Sequence, residues 1–166
     1  MNAWNMEVFN VIDYLGTLQR GLKRTTAYQF CRISDPKSME EVIQNSKRSE
    51  RFFAVDDSQE GITFRGDGGG WFERRPVVVF LLGKLSKWPD MDGREDILEE
   101  MRGIYRQLLA RLIHDQSFYE ALSYMDEENI SFDEIPGEFA GGTAGLFFTF
   151  TVDIPVNLEY DESEWE

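Results

Sequence analysis

The stretch Leu146 to Val156, Leu-Phe-Phe-Thr-Phe-Thr-Val-Asp-Ile-Pro-Val, constrains the fold of this chain more than any other. Leu146, Phe148, Phe150, Val152 and Ile154 fall on one side of a period-2 ribbon; Phe147, Thr149, Thr151 and Asp153 fall on the other. Such alternation is the mark of a strand with one buried face and one wet or partner-facing face. A glycine-rich run, Gly141 to Gly145, leads into it, and Pro155 and an acidic tail follow. A chain built on this ribbon is a sheet former and needs helices or a second sheet to cover the apolar side.

The remaining segments supply the covers. Val8, Ile12, Leu15, Leu18 and Leu22 recur at helical steps, so a helix is expected over Met6 to Arg24, with Lys23 and Arg24 favourably placed at its C-terminal end. Thr25 to Ile33 reads as a strand. Ser34-Asp35-Pro36 is a helix start, a capping residue followed by proline, opening a short helix that fades by Ser49. Arg51 to Val55 and Gly61 to Arg65 read as short strands joined by an acidic turn, and Gly66 to Gly70 as a loop without a preferred conformation. Trp71 to Leu82 reads as a strand covered on both sides in its second half, with Pro76 at its start or at a bulge because proline cannot donate to a ladder. Glu95 to Asp115 is the strongest helix, striped by Ile97, Met101, Ile104, Leu108 and Leu112, with Asp92 or Asp96 favouring its start. A shorter helix is expected over Ser117 to Met125, and a strand around Ile130 and Phe132 that pairs with the final ribbon. The pattern is α+β, a mainly antiparallel β-sheet flanked by a long amphipathic helix and an N-terminal helix. One domain, 1–158, is expected, with 159–166 an acidic tail lacking structure.

Composition narrows the classes. With 42% hydrophobic residues and 13 Phe, a core forms without staples. Cys31 is the one cysteine, so no internal disulfide is possible, which suits a reducing compartment. No run of about 18 apolar residues is present, and Met1 to Glu7 lacks the basic start of a signal peptide. A cytoplasmic setting without membrane contact is the expectation. The net charge of −14, from 31 acidic and 17 basic residues, argues against nonspecific binding to phosphate backbones and against direct nucleic-acid recognition.

No constellation for catalysis stands out. His114 is the sole histidine; at a helix end it fits a dipole role better than a metal site. Cys31 reads as a small buried hydrophobe on a strand. Asp90-Met91-Asp92-Gly93 begins like a calcium loop without the ligands that should follow. Asp56-Asp57 and Asp126-Glu127-Glu128 read as solvated turns. The two glycine runs lack the lysine and hydroxyl of a phosphate loop and do not run from strand to helix. No metal, cofactor or catalytic residue is expected. Trp71, Trp88 and Trp165 lie in or beside loops or the tail, where tryptophan serves as a core lid or an interface anchor.

The segments Ile130-Ser131-Phe132 and Gly145-Leu146-Phe147-Phe148-Thr149-Phe150-Thr151-Val152, preceded by the long helix Glu95 to Asp115, resemble the phage tail-terminator and head–tail-joining (neck) family. The short helix after Pro36 and the acidic tail have no counterpart in that pattern. The resemblance implies an α+β subunit that closes into a homo-oligomeric ring, often a hexamer, which ends the tail tube or joins it to the head. It implies no enzymatic activity, partners among other tail or neck proteins, and residence in the bacterial cytoplasm during assembly and then in the particle. The candidate subunit interface consists of Gly68 and Gly69 in the first glycine loop, Trp71, Gly141 and Gly142 in the second, and Phe147. Two rival readings are an acidic protein-binding module, inhibitor- or immunity-like and imitating nucleic acid by its charge, and a small hydrolase with a carboxylate or Cys31 centre.

Overall fold

A computed structural model describes residues 9–57, 60–87, 90–128, 130–135, 139 and 142–165. Six strands form one sheet: β1 (Gln29–Arg32), β2 (Arg51–Asp56), β3 (Ile62–Arg65), β4 (Trp71–Lys84), β5 (Ser131–Glu134) and β6 (Thr143–Val156). Their order is β1-β2-β4-β6-β5, with β3 also pairing to β4. β1 and β2 run parallel; every other pair is antiparallel. The expected α+β class is therefore the observed one, and the expected pairing of the Phe132 strand with the final ribbon is found at Phe132 opposite Phe148.

The spine is the β4–β6 ribbon, fourteen residue pairs from Trp71 opposite Val156 to Lys84 opposite Thr143. Its length follows from the alternation: Val77, Val79 and Leu81 share a face with Phe150, Phe148 and Leu146, and all six are buried. Burying each such side chain contributes about 1.5–3 kcal/mol. Gly145 is required within this ribbon. Its φ is +157°, and a Cβ there would overlap the Leu81 carbonyl oxygen.

Helices α1 (Val11–Gly21) and α3 (Met91–Asp115) cover that first face. The buried side of α1 is Val11, Tyr14, Leu15 and Leu18, so the stripe is rotated from the one the spacing predicted, and Ile12 and Leu22 are half-buried. The helix is shorter than expected because Asn10 caps it, its side-chain oxygen accepting from the backbone N–H groups of Ile12 and Asp13. Val8 lies outside the described residues. α3 buries Ile97, Met101, Ile104, Leu108 and Leu112 as expected, but begins at Met91, where Asp90 rather than Asp92 or Asp96 is the cap and accepts from Gly93 N–H at 2.9 Å. On the opposite face, α2 (Pro36–Asn45) packs Met39 and Ile43 against Phe52, Ala54 and Leu82. Asp35 caps it in a capping box with Ser38.

Three expectations give way. Thr25 to Tyr28 turn rather than extend, because the buried Gln19 amide donates to the carbonyls of Thr25 and Tyr28 at 2.6 and 3.1 Å and Thr25 Oγ1 donates to Gln19 O. The helix expected after Ser117 is one 3-10 turn, Glu120–Leu122; the Gln116 amide instead donates to the carbonyls of Leu122 and Met125.

Pro76 lies inside β4, opposite Thr151, and not at a start or a bulge of its own strand. Lys84 N–H donates to Glu50 O, so the even-numbered residues of β4 aim their backbone groups toward β2. β2 pairs with β4 as far as Val78, and β3 takes over from Arg74. The missing N–H of Pro76 thus faces the break between two collinear strands, and the irregularity that proline demands sits in the partner.

Candidate assembly surface and the cleft beside it

The sheet's second face is covered unevenly. α2 reaches the end formed by Phe52, Ala54 and Leu82, where Phe80, Phe139 and Phe147 join the cluster. Farther along the ribbon, Pro76, Val78, Thr149 and Thr151 are half-buried on this same face, and no described helix contributes a side chain to either core cluster there. Beyond them Arg74 meets Asp153, and Phe64 stacks on Phe72 with the Arg74 guanidinium 4.9 Å from the Phe64 ring. A strip of β-branched and apolar residues thus separates an aromatic cluster from an ion pair.

The six interface candidates do not gather in one patch. Gly68, Gly69 and Trp71 lie at the β3–β4 hairpin, at the end of the ribbon where Trp71 opposes Val156. Gly66 N–H donates to Gly70 O and Gly69 N–H to Gly66 O, with Gly69 at φ +89°, so this loop has a defined turn and not the unformed conformation expected. Trp71 is 41% exposed. Gly142 sits at the ribbon's other end, next to Thr143. Its carbonyl accepts from Leu85 N–H at 2.9 Å and its N–H donates to Phe139 O at 3.0 Å, so its backbone groups are already used within the chain. Gly141 lies outside the described residues, as does Trp88. Phe147 is half-buried, its ring 5.3 Å from that of Phe80, which makes it partly core. Residues 157–165 are exposed throughout; their one regular feature is a 3-10 turn capped by Asp161.

A cleft of about 740 Å³ opens between the start of α1, the end of α3 and the 3-10 turn, lined by Phe9, Tyr14, Arg111, Phe118, Tyr119 and Pro155 among others. At its floor is Asp115, 2% exposed. Tyr14 Oη donates to Asp115 at 2.9 Å, Arg111 Nε reaches both carboxylate oxygens at 2.8 and 2.9 Å, and His114 Nδ1 lies 3.0 Å from one of them. Burial pushes the Asp115 pKa up, but the donors Arg111, His114 and Tyr14 outweigh it and hold the acid below the usual carboxylate range. Burial and the same carboxylate keep the Tyr14 phenol protonated well above its ordinary range. An acid saturated with donors is a poor proton acceptor near neutrality, so this group braces α1 against α3.

Several other charged groups are paired as well. Glu100 on α3 takes Arg51 Nε at 3.0 Å and the Tyr28 hydroxyl. Arg102 holds Glu134 of β5 together with Glu95 and Glu99, and Glu134 is lowered chiefly by that guanidinium. Asp56 and Asp57 were expected in a solvated turn. Asp56 is instead the buried last residue of β2, and Asp57 takes a bidentate hydrogen bond from Arg32, 3.0 Å on each arm. His114 lies in the last turn of α3 with its ring against Phe118. Among the described residues no three His, Cys, Asp or Glu side chains are grouped to hold a metal ion, and no described helix is long and apolar enough to cross a membrane.

The residues that organise this region, Tyr14, Arg74, Asp115 and Asp153, escape a reading of the sequence because their partners lie 79 and 101 positions away. Asp153 left one trace, an acid within an otherwise apolar and hydroxyl-bearing strand. Compared with known proteins, the chain matches no family model and no curated sequence.

Proposed function

We propose that this chain is a non-enzymatic structural protein of a phage or prophage tail or neck, which assembles with copies of itself into a ring that ends the tail tube or joins it to the head. The observation that carries this reading is the strip of Pro76, Val78, Thr149 and Thr151 on the second sheet face, which lies between the end covered by α2 and the partly exposed Arg74–Asp153 pair and has no described helix packed on it. A β-surface of this kind suits the flank of a neighbouring subunit. Among the described candidates, Gly68, Gly69 and Trp71 lie at one end of the ribbon and Gly142 at the other, an arrangement that suits a heterologous ring contact, because such a contact joins two different patches. The charge of −14 suits a particle through which DNA passes without adhering. Assembly in the bacterial cytoplasm and residence in the particle, among other tail or neck proteins, belong to the same proposal.

The test is solution mass by light scattering over a range of concentration, for the wild-type chain and for a Thr149→Arg/Thr151→Arg variant. The proposal expects a closed species of about six copies and a folded monomer for the variant. A wild-type chain that stays monomeric, with and without tail-tube protein, overturns it in favour of the acidic protein-binding module.

A further inference from the structure

The charge of the chain is unevenly placed, and two exposed elements complement each other. After β6 the chain runs Asn157-Leu158-Glu159-Tyr160-Asp161-Glu162-Ser163-Glu164-Trp165. Tyr160 is 72% and Trp165 68% exposed, and their rings stack on each other at 6.1 Å. This segment is acidic, aromatic and in contact with neither core cluster. At the far end of α1 stand Arg20, Lys23 and Arg24, all exposed. Arg20 reaches Thr17 Oγ1 and Arg24 reaches the Glu100 carbonyl. None of the three is within ion-pair distance of a carboxylate among the described residues. In a protein this acidic, three exposed cations within five residues, none paired with a carboxylate among the described residues, leave the surface around the end of α1 unbalanced in charge.

The placement of the two elements points outward from the subunit. The acidic segment departs from Val156, beside the start of α1, where Phe9, Asn10, Pro155 and Val156 line one depression. The basic cluster lies at the other end of α1, about 16 Å along an eleven-residue helix, close to where Arg51 and Gly83 mark the opposite end of the sheet. We propose that the acidic aromatic segment Leu158–Trp165 of one copy docks on the Arg20–Lys23–Arg24 cluster of the next copy. The contact joins unlike ends and therefore propagates head to tail until it closes. This inference rests on the ring reading and names the contact that sets subunit order. Glu159, Glu162 and Glu164 supply the charge, and Tyr160 and Trp165 supply flat faces over which guanidinium groups stack.

Charge exchange in the full chain tests it. One variant carries Arg20→Glu and Lys23→Glu, leaving Arg24 on its carbonyl. A second carries Glu159→Lys, Glu162→Lys and Glu164→Lys, leaving Asp161 to hold its turn. Each alone is expected to need about tenfold more protein to assemble than wild type, and wild-type assembly is expected to weaken about tenfold as salt rises from roughly 0.05 to 0.5 M. The two variants mixed in equal amounts regain assembly, because each now offers what the other lacks. Sedimentation velocity reads all of these masses, and circular dichroism checks each fold. Assembly that persists at wild-type concentration in either variant overturns this docking and leaves the ring standing. Loss in both without recovery on mixing also overturns it. A monomeric wild-type chain overturns the docking and the ring together.

Discussion

Arg74 grips Asp153 directly across the β4–β6 ribbon, Nε to Oδ1 at 2.8 Å and Nη2 to Oδ2 at 2.9 Å, with Asp153 only 2% exposed and the arginine side chain 43% exposed. The buried partner sets the energetics, since a carboxylate withdrawn from water must keep its donor. Replacing Arg74 by Ala should lower unfolding stability by about 2–3 kcal/mol, somewhat under the ~3–5 typical of a fully buried pair. The double variant Arg74→Ala/Asp153→Ala should lose less than the sum of the two single losses. Urea denaturation of the four proteins in a double-mutant cycle measures this.

The Asp115 brace should appear as pH dependence. Its carboxyl is held below the ordinary range when folded, so its contribution is complete above the unfolded value, about 3.9, and is lost as pH falls through the lower folded value. Asp115→Asn should cost about 1–3 kcal/mol at pH 7. Its deficit against wild type should narrow below about pH 4. Thermal unfolding of both proteins between pH 7 and pH 2.5 checks the direction.

Two glycines should respond in opposite ways. Gly145→Ala places a methyl group on the Leu81 carbonyl at φ +157° and should cost about 3 kcal/mol or prevent folding. Gly68→Ala meets open space and should be neutral, or stabilising by up to ~1 kcal/mol by limiting the unfolded chain. Melting temperatures of the pair separate a glycine needed for close approach from one that is tolerated.

Cys31 should be slow to react. Burial pushes its thiol up to about 11, which leaves roughly one thiolate in a thousand at pH 8. Labelling by a disulfide reagent should therefore be slow in the folded protein and fast in guanidinium. Rapid labelling of native protein would place the thiol in a different environment.

The parts of this fold that local periodicity encodes could be read directly: the buried side of β6, the stripe of α3, the capped start at Asp35, the Phe132 strand. Each depends on neighbours a few positions away. Other features depend on groups that meet only after folding. The Gln19 amide unmakes part of a predicted strand by offering its carbonyls a donor, and Asn10 shortens a helix whose apolar spacing would carry it further back. Pro76 was assigned by a sound rule applied to the wrong strand. The candidate surface was legible as a wet side of the last strand, but Phe147 belongs partly to the core because Phe80 stands across from it, a pairing that register alone reveals. The Tyr14–Asp115 and Arg74–Asp153 contacts were invisible for the same reason.

The break opposite Pro76 also marks where this protein is free to change length. β2 and β3 are each registered independently against β4, so residues added between Asp57 and Gly61 would displace neither strand and would lengthen only a closure whose entropic cost grows slowly. Descendants of this chain can therefore gain or lose segments at that position, including ones that recognise a new neighbour, while the ribbon through Pro76 keeps its alignment.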